Sequence, residues 1–171
     1  IDIDPQANAG FGVGVNAEES ANTIYEVLIG QCSAEDAVFK TEFPGLDIIP
    51  SNIHLSGAQV DMMDLDNKEF RMREALKNIR NYYDYILIDC PPSLGILTLN
   101  ALIAADSVMI PLQCEYYALE GLSQLLQIIA MVQENLNTAL EIEGVVLTMY
   151  DSRTKLAQHV VNDVREYFKD K

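Results

Sequence analysis

The sequence predicts an α/β fold of three layers, in which a mostly parallel, doubly wound sheet lies between helices. Short apolar segments typical of strands alternate along the chain with longer segments that carry apolar residues at helical spacing. Several of the short segments are continuously apolar, which is typical of parallel strands covered by helices on both faces. This regular alternation implies βαβ units and therefore a parallel sheet.

The chain opens at the end of a strand, residues 1–4, where Ile alternates with Asp. Residues 9–15 contain three Gly and are expected to form a flexible loop. No Gly-Lys-Ser/Thr sequence follows this loop, so we do not assign it to phosphate binding.

Two helices are predicted next. Residues 20–29 have apolar residues at helical spacing, with Ser20 or Asn22 as the N-cap and Gly30 as the residue that ends the helix. A short helix is predicted over residues 33–39, because the Ser at its start is followed three residues later by Asp, as in a capping box.

The middle of the chain contains two predicted strands and three predicted helices. A short strand is expected at residues 46–50, between Gly and Pro. Helices are expected over residues 53–63 and 68–81, the second with its apolar residues largely on one side. Residues 85–89 are the clearest strand, since an uninterrupted apolar run leads to a terminal Asp. A helix over residues 94–105 follows.

The last part of the chain continues the alternation. Residues 107–111 and 143–150 are predicted as buried strands, and residues 117–136 and 156–168 as helices. No linker, repeat or low-complexity segment interrupts the pattern. Residues 1–171 are therefore interpreted as a single domain.

Composition limits the classes of function. The net charge of −15 repels nucleic acid and anionic membranes at long range. Residues 1–66 hold twelve Asp and Glu against one Lys, which we interpret as a solvated surface. No charge-free apolar run reaches about 18 residues, so no membrane span is predicted. Cys32, Cys90 and Cys114 lack zinc-site spacing and are interpreted as reduced thiols.

Two carboxylates, Asp2 and Asp4, stand where the first strand ends. Ligands of open α/β sheets bind at the carboxyl ends of strands. Oxygen ligands are the ones that Mg²⁺ prefers. Taken alone, the pair is equally compatible with an acidic turn on the surface.

A third carboxylate, Asp89, ends the apolar run of residues 85–89. A buried strand that ends in Asp is typical of a Walker B segment, in which the Asp supports Mg²⁺ beside the phosphates. Pro91 and Pro92 cannot extend the strand, so they turn the chain. The Ser-Leu-Gly that follows is suited to respond to a γ-phosphate.

Together these segments resemble the ParA/Soj family of deviant-Walker ATPases, P-loop NTPase-like proteins that partition bacterial chromosomes and plasmids. The resemblance rests on Asp-x-Asp-Pro-Gln-Ala-Asn at residues 2–8, Ile-Asp-Cys-Pro-Pro-Ser-Leu-Gly at 88–95, Pro-Leu-Gln-Cys-Glu-Tyr-Tyr-Ala-Leu-Glu-Gly at 111–121 and Thr-Met-Tyr-Asp-Ser-Arg-Thr at 148–154. It covers essentially the whole chain.

The resemblance implies a role for individual residues. Asp4 matches the catalytic carboxylate that helps to position the attacking water. Asp2 matches an acidic residue close to the Mg²⁺ shell, and Asp89 the Walker B Asp, which acts on Mg²⁺ largely through water. The residues that fall in the switch II loop are Pro91, Pro92, Ser93 and Gly95.

Asp151 and Arg153 match positions where the family contacts the nucleotide base or the facing subunit. A capping Asp and a surface Arg are the alternative for these two residues. The resemblance also implies ATP and Mg²⁺ as cofactors, a nucleotide-dependent homodimer, and a cytoplasmic, nucleoid-associated location. The partners implied for the complete protein are non-specific DNA and a ParB-like centromere-binding protein.

The sequence departs from the family at both ends. After the position of Lys171 the family continues with at least one further strand and helix, including basic residues used for DNA binding. The family's phosphate loop, a Lys-Gly-Gly-x-Gly-Lys-Thr-Thr-like segment, precedes the Asp-x-Asp segment, and no Gly-Lys-Ser/Thr triplet occurs here. We therefore expect an internal fragment, truncated at both ends, that neither hydrolyses ATP nor binds DNA strongly by itself. An exposed apolar sheet edge is expected to drive its association with other chains.

Two other functions stay open. A non-enzymatic doubly wound scaffold or pseudo-ATPase would explain the acidic pair, with Asp2 or Asp4 binding a metal. A MinD-like ATPase that cycles on and off the membrane at the division site is the second. That reading requires a C-terminal amphipathic helix, and the Asp-Pro-Gln-Ala-Asn segment favours the partitioning branch.

Overall fold

The computed structural model describes residues 1–17, 22–115 and 118–168. The chain divides into two compact units, Ile1–Ala105 and Asp106–Lys171. The interpretation of residues 1–171 as a single domain stays a prediction. No helix in the described part of the chain is long and apolar enough to cross a membrane.

Three chain segments meet around the first residues of the first unit. The N–H of Asp89 donates to the carbonyl of Ile1 at 2.8 Å, and the N–H of Ile3 donates to the carbonyl of Asp89 at 2.9 Å. These two bonds form a parallel bridge between Asp2 and Asp89. The N–H of Asp2 donates to the carbonyl of Ile49 at 3.0 Å, which joins a third segment.

The predicted strand at residues 85–89 is wrong as a regular strand buried on both faces. It contributes one bridging residue, Asp89, while Tyr85 and Leu87 are 86% and 80% exposed. An apolar run predicts burial, but a strand also needs a neighbour along its length. Among the described residues, only the three at the start of the chain pair with this segment, and they reach its last part.

The first unit otherwise consists of short helices and a small hairpin. Its strands are β1 (Phe39–Lys40) and β2 (Asp47–Ile48), which pair antiparallel. Its helices are α1 (Asn8–Gly12), α2 (Ile24–Ile29), α3 (Ala58–Asp61), α4 (Arg71–Leu76) and α5 (Ile96–Ala104), with 3₁₀ turns at Glu35–Ala37, Ile53–Gly57, Lys68–Phe70 and Arg80–Tyr82.

The N-cap of α2 differs from the prediction. Thr23 is the N-cap, and its N–H and hydroxyl donate to the carboxylate of Glu26 in a capping box, so the prediction of Asn22 is wrong. Ser20 lies outside the described residues. Gly30 ends the helix as predicted, with φ of 82° in the left-handed region.

Three other local predictions are corrected. Residues 9–15 are not a loop throughout, because α1 occupies their first part. Residues 33–39 form only a 3₁₀ turn, since Phe39 pairs with Ile48 in the hairpin. Residues 68–81 are broken into a 3₁₀ turn, α4 and a second 3₁₀ turn.

The core of the first unit surrounds the start of the chain. Ile3 is fully buried, so the strand end that carries the acidic pair is fixed by packing. The largest fully buried apolar side chains of the first unit are Ile3, Ile24, Leu28, Leu55, Met62, Met72 and Ile103.

The second unit is a βαβ unit with one further helix. Strands β3 (Ser107–Gln113) and β4 (Glu141–Thr148) pair in parallel, joined through α6 (Ala118–Asn135), and α7 (Lys155–Tyr167) follows. These elements confirm the strands and helices predicted for this part of the chain. Burial on both faces is not observed, since Met109 of β3 is 62% exposed.

Candidate functional site

The candidate site lies where the first strand and the segment beside it end. The parallel bridge sets Asp2 next to Asp89, and Asp4 follows two residues later. Three of the carboxylates that the sequence singles out therefore converge at one strand edge of the first unit. This convergence is the central feature of the site.

Asp2 is fully buried and organises the turn that follows it. One carboxylate oxygen accepts the N–H of Asp4 at 3.0 Å, and the other accepts the N–H of Gly10 at 3.1 Å. A buried carboxylate requires such partners. The bond to Gly10 ties α1 to the strand end, a structural role that sequence reasoning missed.

Asp4 is half-buried and sits at the start of a tight turn. Its Oδ1 accepts the N–H of Gln6 at 2.9 Å, and its carbonyl accepts the N–H of Ala7 at 2.9 Å. Ala7 has φ of 55°, a left-handed conformation that is uncommon outside glycine. Such strained positions cluster at functional sites. No described residue donates to the second carboxylate oxygen of Asp4.

The pKa of Asp89 is sensitive to the two carboxylates that lie near it. Burial, and then the negative charges of Asp2 and Asp4, raise the pKa of Asp89. A bound cation would offset this repulsion. The described residues contain no group of three or more side chains placed to enclose a metal ion. The donor set instead suits Mg²⁺, which keeps several waters and takes one or two carboxylates beside substrate phosphates.

Cys90 follows the Walker-B-like Asp89 but is not an activated thiol. Desolvation, and then the charge of Asp89, raise the pKa of Cys90 to about 11. Its sulfur donates to the carbonyl of Ile88 at 3.6 Å. The thiol therefore stays protonated at neutral pH, which speaks against nucleophilic or metal-ligand chemistry there.

The chain then enters an irregular segment, residues 91–95, here named the switch loop. The predicted switch residues Pro91, Pro92, Ser93 and Gly95 lie on it. Gly95 is the N-cap of α5 and supplies no side-chain cap. The hydroxyl of Thr98 in α5 donates to the carbonyl of Ser93 at 2.6 Å.

Asp151 and Arg153 lie in the second unit and pair with each other. The guanidinium donates to both carboxylate oxygens, with the shortest distance, 2.7 Å, between Nη2 and Oδ2. This pairing lowers the pKa of Asp151. Thr154, and not Asp151, caps α7 through its hydroxyl.

One buried polar group near the first strand escaped sequence reasoning. Ser51 is fully buried, and its Oγ has no hydrogen-bond partner among the described residues. It stands two residues after Ile49, whose carbonyl accepts the N–H of Asp2. A Ser between Pro and Asn after a short strand resembles an ordinary turn, so the sequence contains no signal for it.

Comparison with known proteins places the chain among nucleotide-binding relatives. A family described as an AAA domain matches residues 1–142. The chromosome partitioning protein ParA of Myxococcus xanthus is 53% identical over 169 residues, which cover 99% of this chain and 60% of that protein. The sporulation initiation inhibitor protein Soj of Bacillus subtilis is 50% identical over 171 residues, covering 100% of this chain and 68% of that protein. The chain thus spans about two thirds of their length or less.

Solved structures show the same fold. A cobyrinic acid a,c-diamide synthase from Mycobacterium smegmatis, with bound ATP analog and magnesium, has a TM-score of 0.90 and 38% identity, over 96% of this chain and 67% of that one. A Cyanothece McdA variant in complex with ATP has a TM-score of 0.89 and 26% identity, over 99% and 66%. These similarities confirm the predicted α/β, P-loop NTPase-like fold.

Proposed function

The chain belongs to the ParA/Soj family of partitioning proteins, and we propose that the complete protein is an ATPase whose ATP-dependent dimerisation and hydrolysis segregate chromosome or plasmid DNA. The observation that carries this proposal is the convergence of Asp2, Asp4 and Asp89 at one strand edge. The identity of 50–53% to partitioning proteins, against 38% to the synthase, favours partitioning.

Each carboxylate has a distinct proposed role. Asp4 positions the attacking water. The water donates a hydrogen bond to the second carboxylate oxygen of Asp4. Asp89 acts on Mg²⁺ largely through water, and its raised pKa reflects a site that a cation would stabilise. Asp2 lies close to the metal shell and acts through the turn that it holds. Phosphoryl transfer depends on such positioning and charge neutralisation more than on covalent help.

Other residues complete the proposal. The switch loop responds to the γ-phosphate through Pro91, Pro92, Ser93 and Gly95. Asp151 and Arg153 contact the nucleotide base or the facing subunit, which requires their mutual ion pair to open. Because both side chains are exposed, opening that pair has a small energetic cost. Arg153→Ala is expected to weaken nucleotide-dependent dimerisation.

The wider function rests on the relatives. The complete protein works with ATP and Mg²⁺ in the cytoplasm, on the nucleoid, with non-specific DNA and a ParB-like centromere-binding protein. Residues 1–171 alone do not hydrolyse ATP, because no Gly-Lys-Ser/Thr triplet is present to hold the phosphates. With a net charge of −15, they also bind DNA weakly.

The test is steady-state ATP hydrolysis by the complete protein and its variants. Asp4→Ala is expected to lower kcat by about a hundredfold or more while ATP binding is retained. Asp89→Asn is expected to raise the Mg²⁺ concentration needed for half-maximal activity. Asp84→Asn, an exposed carboxylate on the same segment as Asp89, is the matched control and should leave both quantities unchanged. Full activity in Asp4→Ala would remove the proposed catalytic role.

A further inference from the structure

Residues 91–94 of the switch loop are tied to their surroundings by one side chain. Two of its residues are prolines, which have no N–H to donate. Within the described part of the chain, the hydrogen bond from Thr98 Oγ1 to the Ser93 carbonyl, at 2.6 Å, is the one that reaches residues 91–94. Thr98 itself is 6% exposed, so its hydroxyl is held in place by packing.

The helix that carries Thr98 is firmly anchored by Asn100. This side chain is fully buried, and its Oδ1 accepts the N–H of Met72 in α4 at 3.1 Å. Its Nδ2 donates to the carbonyl of Lys68 at 2.9 Å and to the carbonyl of Ile96 at 3.0 Å. The two bonds to Met72 and Lys68 leave α5 little freedom to slide or rotate, because breaking them would leave buried polar groups unpaired, and the bond to Ile96 fixes the Asn100 side chain within α5 itself.

We infer that Thr98 is a positioning residue for ATP turnover: its hydroxyl holds the switch loop at a fixed place relative to Asp89, with α5, anchored by Asn100, as the support. This inference rests on the proposed function, since it assigns the loop a part in hydrolysis. Thr98 stands too far along the chain from the acidic strand ends to be singled out by any motif. It acts through the Ser93 carbonyl and not on the nucleotide.

The direction of the effect follows from the chemistry of the contact. Thr98→Val keeps the shape of the side chain and removes its only donor. The Ser93 carbonyl belongs to an exposed residue, so water replaces the lost partner and the fold survives. What is lost is the preference of the loop for one conformation. One net hydrogen bond of this kind corresponds to about a fivefold change in that preference.

The experiment compares the complete protein with its Thr98→Val and Thr98→Ser variants. Thr98→Val is expected to lower kcat for ATP hydrolysis about fivefold with KM for ATP unchanged, and to lower the NMR order parameters of the backbone amides of Ser93 and Leu94. Thr98→Ser keeps the donor and should restore both. Ser123→Ala removes a comparable hydroxyl-to-carbonyl bond from α6, 3.0 Å long, and should change neither.

The outcomes separate this inference from the proposed function. A wild-type protein without ATPase activity would overturn the proposed function and the part of Thr98 in turnover, while the order parameters of Ser93 and Leu94 would still decide whether Thr98 holds the loop. If the wild type is active and Thr98→Val matches it in kcat, the positioning role is refuted. Equal impairment in Thr98→Val and Thr98→Ser would also refute it, since the hydroxyl would then be irrelevant.

Discussion

The carboxylate of Asp2 accepts the backbone N–H of Gly10 at 3.1 Å, and this bond closes the turn that carries Asp4. Two residues eight positions apart thus fix the geometry between the strand end and α1. The acidic pair is therefore asymmetric: one carboxylate is a buried structural acceptor, and the other keeps an oxygen available for chemistry.

Asp2→Asn tests the structural part of this asymmetry. The Asn side chain has one acceptor oxygen and one NH₂ group, which cannot accept a hydrogen bond. One of the two buried N–H groups that Asp2 accepts therefore loses its partner. The free energy of unfolding of the complete protein is expected to fall by about 1–3 kcal/mol. Asp84→Asn, on an exposed carboxylate, should stay within about 0.5 kcal/mol of wild type in the same urea titration. Equal stability of the two variants would contradict this role of Asp2.

Asp89 is expected to make the protein less stable as pH rises, the opposite of the usual effect of an Asp. Its raised pKa means that the native state holds the proton more tightly than the unfolded state does. Stability therefore falls as pH rises from about 3.9, the ordinary Asp value, through the raised pKa. Asp89→Asn should raise Tm at pH 7 and lose this advantage near pH 3.

Asp151 is a control for Asp89, because its pKa is shifted in the opposite direction. Its pKa is lowered by the side chain of Arg153, so its stabilising effect is present above the ordinary Asp value and is lost as pH falls through the lowered one. Asp151→Asn should therefore not raise Tm at pH 7. A gain in Tm of the same size in both variants would show that general relief of negative charge, and not the site, is responsible.

Gly30→Ala is expected to lower the free energy of unfolding more than Gly45→Ala does, although both glycines have a left-handed backbone conformation. Gly30 has φ of 82°, and a Cβ there would overlap the guanidinium of Arg71. That guanidinium caps α2 by donating from Nε to the Leu28 carbonyl at 2.9 Å. The matched control is Gly45→Ala, where φ is 80° and nothing lies within 4 Å of the added carbon.

The pair of glycine variants separates strain from the clash. Gly45→Ala should cost about 1–2 kcal/mol of unfolding free energy from backbone strain alone. Gly30→Ala should cost up to about 1 kcal/mol more, because the flexible end of Arg71 must move aside and its bond to the Leu28 carbonyl is weakened. In the background Arg71→Ala, the extra cost of Gly30→Ala should disappear. Additive losses in the double variant would rule out the proposed overlap.

Ser51→Ala is expected to leave the protein as stable as before or more stable. The hydroxyl is fully buried and has no partner in the described part of the chain, so its removal relieves a desolvation penalty. Thr23→Ala is the control, since it removes an N-cap and should lower the unfolding free energy by about 1 kcal/mol. A loss for Ser51→Ala as large as that for Thr23→Ala in chemical denaturation would show that the hydroxyl is hydrogen-bonded in solution.

Local periodicity is sufficient to predict the helices and strands whose apolar pattern extends along their whole length. Apolar spacing alone predicts the helices α6 and α7 and the strands β3 and β4. The helix predicted at residues 33–39 failed for the converse reason. Ser33 and Asp36 do form the expected local bonds, but Phe39 finds a strand partner that the local sequence does not contain.

By itself the sequence determined the α/β class, the family, and the identity of the three carboxylates, because residue types and their spacing along the chain are sufficient for each. Only the tertiary structure decided what those carboxylates do to one another. Asp2 became a buried acceptor because Gly10 returns to it, and the pKa of Asp89 rises because the fold desolvates this carboxylate and then sets the negative charges of Asp2 and Asp4 beside it. Hydrogen bonding and Coulomb energy depend on distance in space, which spacing in sequence does not specify.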